Sequence, residues 1–102
     1  AELEIVPVGT HNASLSVLLA KVAQRVASSG LDYRVGPMGT VVEGEWDRVM
    51  SLAKQCHEAM FASAVRVMTT IRIDDRRDRP DSGRITQKVQ SLEAKAGLPL
   101  RT

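Results

Sequence analysis

The run VRVMTTIRIDD, residues 65–75, constrains the fold more than any other stretch. Val65, Val67, Thr69, Ile71 and Ile73 alternate with Arg66, Met68, Thr70 and Arg72, the period of a strand with one face on a core. A strand of this kind needs paired neighbours and a covering layer. Both must come from a chain of 102 residues, long enough for one core and not for two. One domain over residues 1–102 is therefore expected.

The remaining segments supply the partners. ELEIVPVG, residues 2–9, reads as a strand with Pro7 late in it, where a lost donor is tolerated. After the loop THNA, Ser14 can cap a helix running to about Ser29, with Leu15, Leu18, Leu19, Val22 and Val26 on one face and Gly30 at its C-terminal end. LDYRV alternates, GPMG is turn chemistry, and TVVEGE follows as the second arm of a hairpin. Residues 46–64 predict a second helix striped by Trp46, Val49, Met50, Ala53, Cys56 and Met60. RRDRPDSG is a charged loop, residues 84–97 predict a third helix with Ile85, Val89 and Leu92 in register, and LPLRT reads as a loose tail. The order β-α-β-β-α-β followed by a helix is that of an α+β, ferredoxin-like βαββαβ sandwich with an additional C-terminal helix. Two helices then cover one face of a four-stranded sheet. The open face would carry Glu4, Val6, Val8, Val41, Glu43, Arg66, Met68, Thr70 and Arg72, a mixture of valines and charges suited to contact with another copy of the chain.

Composition removes several classes of function. The net charge of +2 arises from nearly balanced sets, and the basic residues near position 76 are interleaved with acids, which weakens any field for phosphates. One Phe, one Tyr and one Trp leave no aromatic platform on the fourth strand, so no nucleic-acid partner is expected. The single cysteine, Cys56, excludes an internal disulfide and suits a reducing, cytoplasmic compartment. No leader and no membrane-length apolar run is visible in the sequence. Cys56, His57 and Glu58 are adjacent on a helix and point about 100° apart, so they cannot converge as a triad. Two histidines and one cysteine fall short of a zinc site, and the glycines follow no phosphate-loop spacing. Asp74 and Asp75, set among arginines, read as a solvated cluster. No enzyme, metal or cofactor is expected.

Two stretches remain, GTHNASLS and PMGTVVEGEW. Thr10, Asn12, Ser14 and Ser16 gather hydroxyls and an amide at a strand-to-helix junction, although N-capping alone accounts for Ser14. Glu43 and Glu45 flank Gly44, whose bare position would let a planar group or another backbone approach. Glu45 can instead serve the helix dipole, and Trp46 can either staple the helix to the core or stack on a ligand. With the first and third strands adjacent, a carboxylate, several hydroxyls and an indole would suit a small, flat, nitrogen-rich cation. They lack a general base with an orienting partner, so binding is expected and turnover is not.

The stretches ELEIVPVGT, SLS, GLDYRVGPMGTVVEGEWDRVM, HEAMF and RVMTTIRIDDRRDR resemble the thiamine-binding protein family, the UPF0045 group of small ferredoxin-like proteins, from about Glu2 to Glu93. The resemblance implies sheets paired into dimers and dimers into a tetramer. It implies non-catalytic, cytosolic binding of thiamine or its pyrimidine precursor near the subunit interface. The ligand-side residues it implies are Thr10, Ser14, Ser16, Thr40, Glu43 and Trp46. Ala64 departs from the glycine frequent in relatives at the turn after the second helix. A regulatory domain that binds an amino acid between paired sheets is the alternative.

Overall fold

The computed structural model describes residues 1–8, 15–75, 77 and 84–100, without the side chains of Leu15, Ser16, Arg84 and Gln87. Its elements are β1 (Glu2–Val8), α1 (Leu15–Ser28), β2 (Asp32–Val35), β3 (Thr40–Glu43), α2 (Trp46–Ala59), β4 (Arg66–Arg72) and α3 (Arg84–Ala96). The strands form one antiparallel sheet in the order β2-β3-β1-β4. This is the ferredoxin-like arrangement, with α3 added.

Alternation in β1 sorts side chains to two faces: Leu3 and Ile5 are buried, whereas Glu4 and Val6 are exposed. β4 pairs with β1 along its whole length, from Glu2 opposite Arg72 to Val8 opposite Arg66. The faces agree in register: Val6 lies opposite Met68 on the open face, while Ile5 lies opposite Thr69 on the helix side. β3 pairs with β1 only at Glu2–Val41 and Leu3–Thr40. The ladder gains one further step at Ala1, which exchanges backbone hydrogen bonds of 2.8 Å with Val42. Among the described residues, no strand lies beside β1 on its β3 side beyond Leu3. That explains Pro7 within a central strand. In the alternation set by Ala1, the missing N–H of Pro7 faces the side where β3 has already ended.

The core lies between the sheet and two helices. Leu18, Val22 and Val26 of α1 meet Val49, Leu52, Ala53 and Cys56 of α2 over Leu3, Ile5 and Val42. Leu19, expected on the buried face of α1, is 43% exposed and turned toward a gap in the sheet. α2 ends at Ala59, short of the expected 64. A 3₁₀ turn, Met60–Ala62, follows and places Met60 and Ala64 in buried positions. Ala64 thus serves the core and not a helix cap. Val65 and Ile73, expected to face inward with β4, lie outside the strand and are exposed.

α3 packs less completely. Ile85 and Val89 are half-buried, and Leu92 is exposed. The segment expected to be loose is tied back as far as Leu100. Gly97 takes φ 74° and donates to the Glu93 carbonyl at 2.8 Å, and the Leu100 N–H donates to Glu93 Oε2 at 3.1 Å.

Candidate functional site

β3 and β4 both run antiparallel to β1, so their C-terminal ends emerge side by side. β3 ends at Glu43, Gly44 makes a bend, and Glu45 precedes α2, which begins with Trp46. β4 delivers Ile73, Asp74 and Asp75 to the same end, and α3 brings Ile85 and Lys88 across it. Together they enclose a pocket of about 420 Å³. Its apolar wall is Val41, Val49, Met50, Ile73 and Ile85, with the Trp46 indole at the rim.

Trp46 is 55% exposed, so it is not a core residue. Helical periodicity had placed it on the buried stripe. As the first residue of α2, however, it lies beyond the edge of the sheet that buries Val49 and Leu52. Glu45 has extended backbone, φ −62° and ψ 147°, and makes no side-chain capping bond. It lies outside the strand and is not paired with Glu43 on one sheet face. Gly44 differs from expectation for a clearer reason. A Cβ there would meet Leu31 Cδ2 at 2.6 Å, with Val49 Cγ2 at 3.7 Å. The bare backbone makes room for Leu31 of the protein's own core, not for a ligand.

The side chains around the pocket are mainly acidic: Glu43, Glu45, Asp74 and Asp75 against Arg77 and Lys88. Lys88 pairs with Asp74, and Arg77 Nη2 lies 3.2 Å from Asp75 Oδ2. The expected charge cluster is therefore real, but it forms part of a cavity wall. Topology supplied the missed signal, because the residues after β4 must arrive beside those after β3.

The six predicted ligand residues do not gather in one place. Glu43 and Trp46 line this pocket. Thr40, at the other end of β3, lines a separate cavity. Thr10 and Ser14 lie outside the described residues, as does the side chain of Ser16. Val8, where the described part of β1 ends, lies roughly 20 Å along the strand from Glu2, the first residue of β1 at the Glu43 end.

His57 is engaged elsewhere. Its Nδ1 lies 2.6 Å from Thr69 Oγ1, and its ring meets Phe61 edge-on at 5.3 Å and 72°. It ties α2 to β4 and does not line the pocket with Glu43. Cys56 is buried, and burial pushes its thiol pKa up, which opposes thiolate chemistry. Among the described residues no group of three or more His, Cys, Asp or Glu could hold a metal ion, and no helix is long and apolar enough to cross a membrane.

Residues 1–93 match the family described as thiamine-binding protein. The chain belongs to the thiamine-binding protein family. A UPF0045 protein of Methanothermobacter thermautotrophicus is 40% identical over 97 residues, covering 93% of this chain and 96% of that protein. The UPF0045 protein YqgV of Bacillus subtilis is 35% identical, covering 90% and 91%. Among solved structures, the domain of unknown function DUF77 from Bacillus cereus superposes with a TM-score of 0.80 at 28% identity, covering 92% of this chain and 88% of that one. Family membership supports a small-molecule binding role, and neither the family nor these relatives is named for a catalytic activity.

Proposed function

We propose that the protein is a non-catalytic binding protein for thiamine, or for its hydroxymethylpyrimidine moiety, and that the pocket of Glu43 and Trp46 receives it. One observation carries this reading: an exposed indole stands at the rim of a cavity walled by carboxylates. Thiamine combines a permanently cationic thiazolium with an aminopyrimidine. The carboxylates favour the cation, Glu43 can accept from the amino group, and Trp46 offers a face for stacking or cation–π contact. The volume of about 420 Å³ lies in the range of small-molecule pockets, roughly 300–1,000 Å³. The hydroxyls of Thr10, Ser14 and Ser16 remain part of the proposed ligand set, whereas Thr40, which lines the separate cavity, is not placed with Glu43.

Two further features belong to this reading. The open sheet face carries Val6 and Met68, 41% and 55% exposed, side by side, with Glu4, Arg66, Thr70 and Arg72 around them. We take it as the surface through which copies pair into dimers or tetramers. A cytoplasmic location accords with the lone thiol.

Isothermal titration with thiamine tests the proposal, with an equimolar amino-acid mixture as the comparison. Saturable binding of thiamine is expected, weakened roughly tenfold or more by Glu43→Gln, the loss of one charge-assisted hydrogen bond. Thiamine affinity unchanged in Glu43→Gln would remove Glu43 from the site. Binding of an amino acid alone would move the protein to the regulatory class.

A further inference from the structure

The Glu43 pocket is closed on one side by a helix distant in sequence. Ile85 and Lys88 stand three residues apart on α3, so they share one face of that helix, and both line the pocket. Ile85 completes the apolar wall with Val41, Val49, Met50 and Ile73. Lys88 reaches from α3 to the residues that follow β4 and makes an ion pair with Asp74 Oδ2.

The two aspartates of this wall are neutralised in different ways. Asp75 pairs with Arg77, two residues along the same stretch of chain, whose side chain is 87% exposed. That cation stands largely in solvent. Asp74 takes its cation from another element, 14 residues away, so the docking of α3 brings a positive charge to the pocket wall. The side chains of Lys88 and Asp74 are 54% and 56% exposed. An ion pair so open to water contributes little to stability, so a ligand can displace it at small cost. Its charge is nevertheless felt across the pocket. At Ala1, on the opposite wall, burial lowers the amine pKa and Lys88 lowers it further, against the pull of Asp74, Glu43 and Glu2. Lys88, Asp74 and Glu43 therefore act on one shared space.

We infer that Lys88 is a resident counter-cation of the Glu43 pocket and sets how strongly the site prefers a charged ring to a neutral one. A permanent cation entering the pocket must share Asp74 with the Lys88 ammonium or displace it. A neutral aminopyrimidine meets no such competition. Lys88 thus holds down the affinity for thiamine relative to that for the uncharged pyrimidine moiety. This inference rests on the proposed thiamine reading of the pocket and concerns selectivity within that same site.

The test is calorimetric titration of the parent and of Lys88→Met with thiamine and with hydroxymethylpyrimidine, at mildly alkaline pH, where the aminopyrimidine is uncharged. Methionine keeps an apolar stem of similar reach and removes the charge. Thiamine should bind Lys88→Met about threefold to tenfold more tightly, the effect of removing one like charge from a partly solvated pocket. Hydroxymethylpyrimidine should bind parent and variant equally. Lys88→Arg, which restores the charge, should return the thiamine affinity to that of the parent. The gain in Lys88→Met should shrink as salt is raised. The half-exposed pair predicts an unchanged unfolding midpoint, so folding does not confound the comparison. An unchanged ratio of the two affinities in Lys88→Met would overturn the inference. So would an equal gain for both ligands, which would report a widened pocket and no charge effect. In either case, thiamine binding that Glu43→Gln still weakens would leave the reading of the site standing. Absence of thiamine binding in parent and variant alike would overturn both.

Discussion

Gly44→Ala isolates one packing contact. Gly44 has no positive φ, so alanine meets no backbone strain there. The whole effect then comes from two opposed terms. Removing a glycine lowers the entropy of the unfolded chain and stabilises by about 0.4–1 kcal/mol. Against this, the new Cβ sits 2.6 Å from Leu31 Cδ2. Leu31 is buried at 8% exposure against Val49 and cannot swing into solvent without losing its place in the core. Overpacking of this kind costs about 1–3 kcal/mol. The net expectation is a destabilisation of about 1–2 kcal/mol, a fall of several degrees in Tm for a chain of this size. The decisive measurement is the same substitution in a Leu31→Ala background. There the clash is gone and only the entropic term remains, so Gly44→Ala should stabilise. Urea unfolding at one fixed protein concentration reads both, with the m-value checked for constancy. An equal destabilisation in the two backgrounds would refute the steric argument. So would loss of thiamine affinity with unchanged stability, which would return Gly44 to the binding site.

Two other expectations concern groups away from the pocket. Cys56 should resist a thiol reagent in the folded protein and react at once in urea, because it is fully buried. Its raised pKa means that the folded state keeps the thiol proton to higher pH than the unfolded chain. Its contribution to stability is therefore intact below the unfolded thiol pKa and falls as pH rises above it, a loss that Cys56→Ala should not show. His57→Ala should destabilise by about 1–2 kcal/mol through the lost Thr69 hydrogen bond and Phe61 contact, while thiamine titration stays unchanged. A change in thiamine affinity there would place His57 in the ligand site.

The fold was legible because its signals are local. The alternation of Leu3 and Ile5 against Glu4 and Val6, the helical spacing of Leu18, Val22 and Val26, and the GPMG turn each depend on residues a few positions apart. Their order admits few topologies. The family motifs were legible for the same reason, since PMGTVVEGEW and RIDDRRDR are contiguous. The candidate site was only half legible. Periodicity assigned Trp46 to the core stripe of α2, but periodicity says nothing of where the covering sheet ends. Gly44 looked like an opening, and only the packing showed Leu31 filling it. Glu43 and Thr40, three residues apart in sequence, line different cavities because they sit at opposite ends of one short strand.

The sequence by itself determined the elements, their order, the two faces of each strand and the family. Tertiary structure decided how far β3 runs beside β1. That single register leaves Ile5 without a ladder partner on the β3 side among the described residues, lets a proline stand in a central strand and separates the two cavities. It also decided that residues after β4 and on α3 close the Glu43 pocket. The physical reason is that side-chain pattern acts over neighbouring residues, whereas strand overlap and cavity walls depend on where segments far apart in the chain stop.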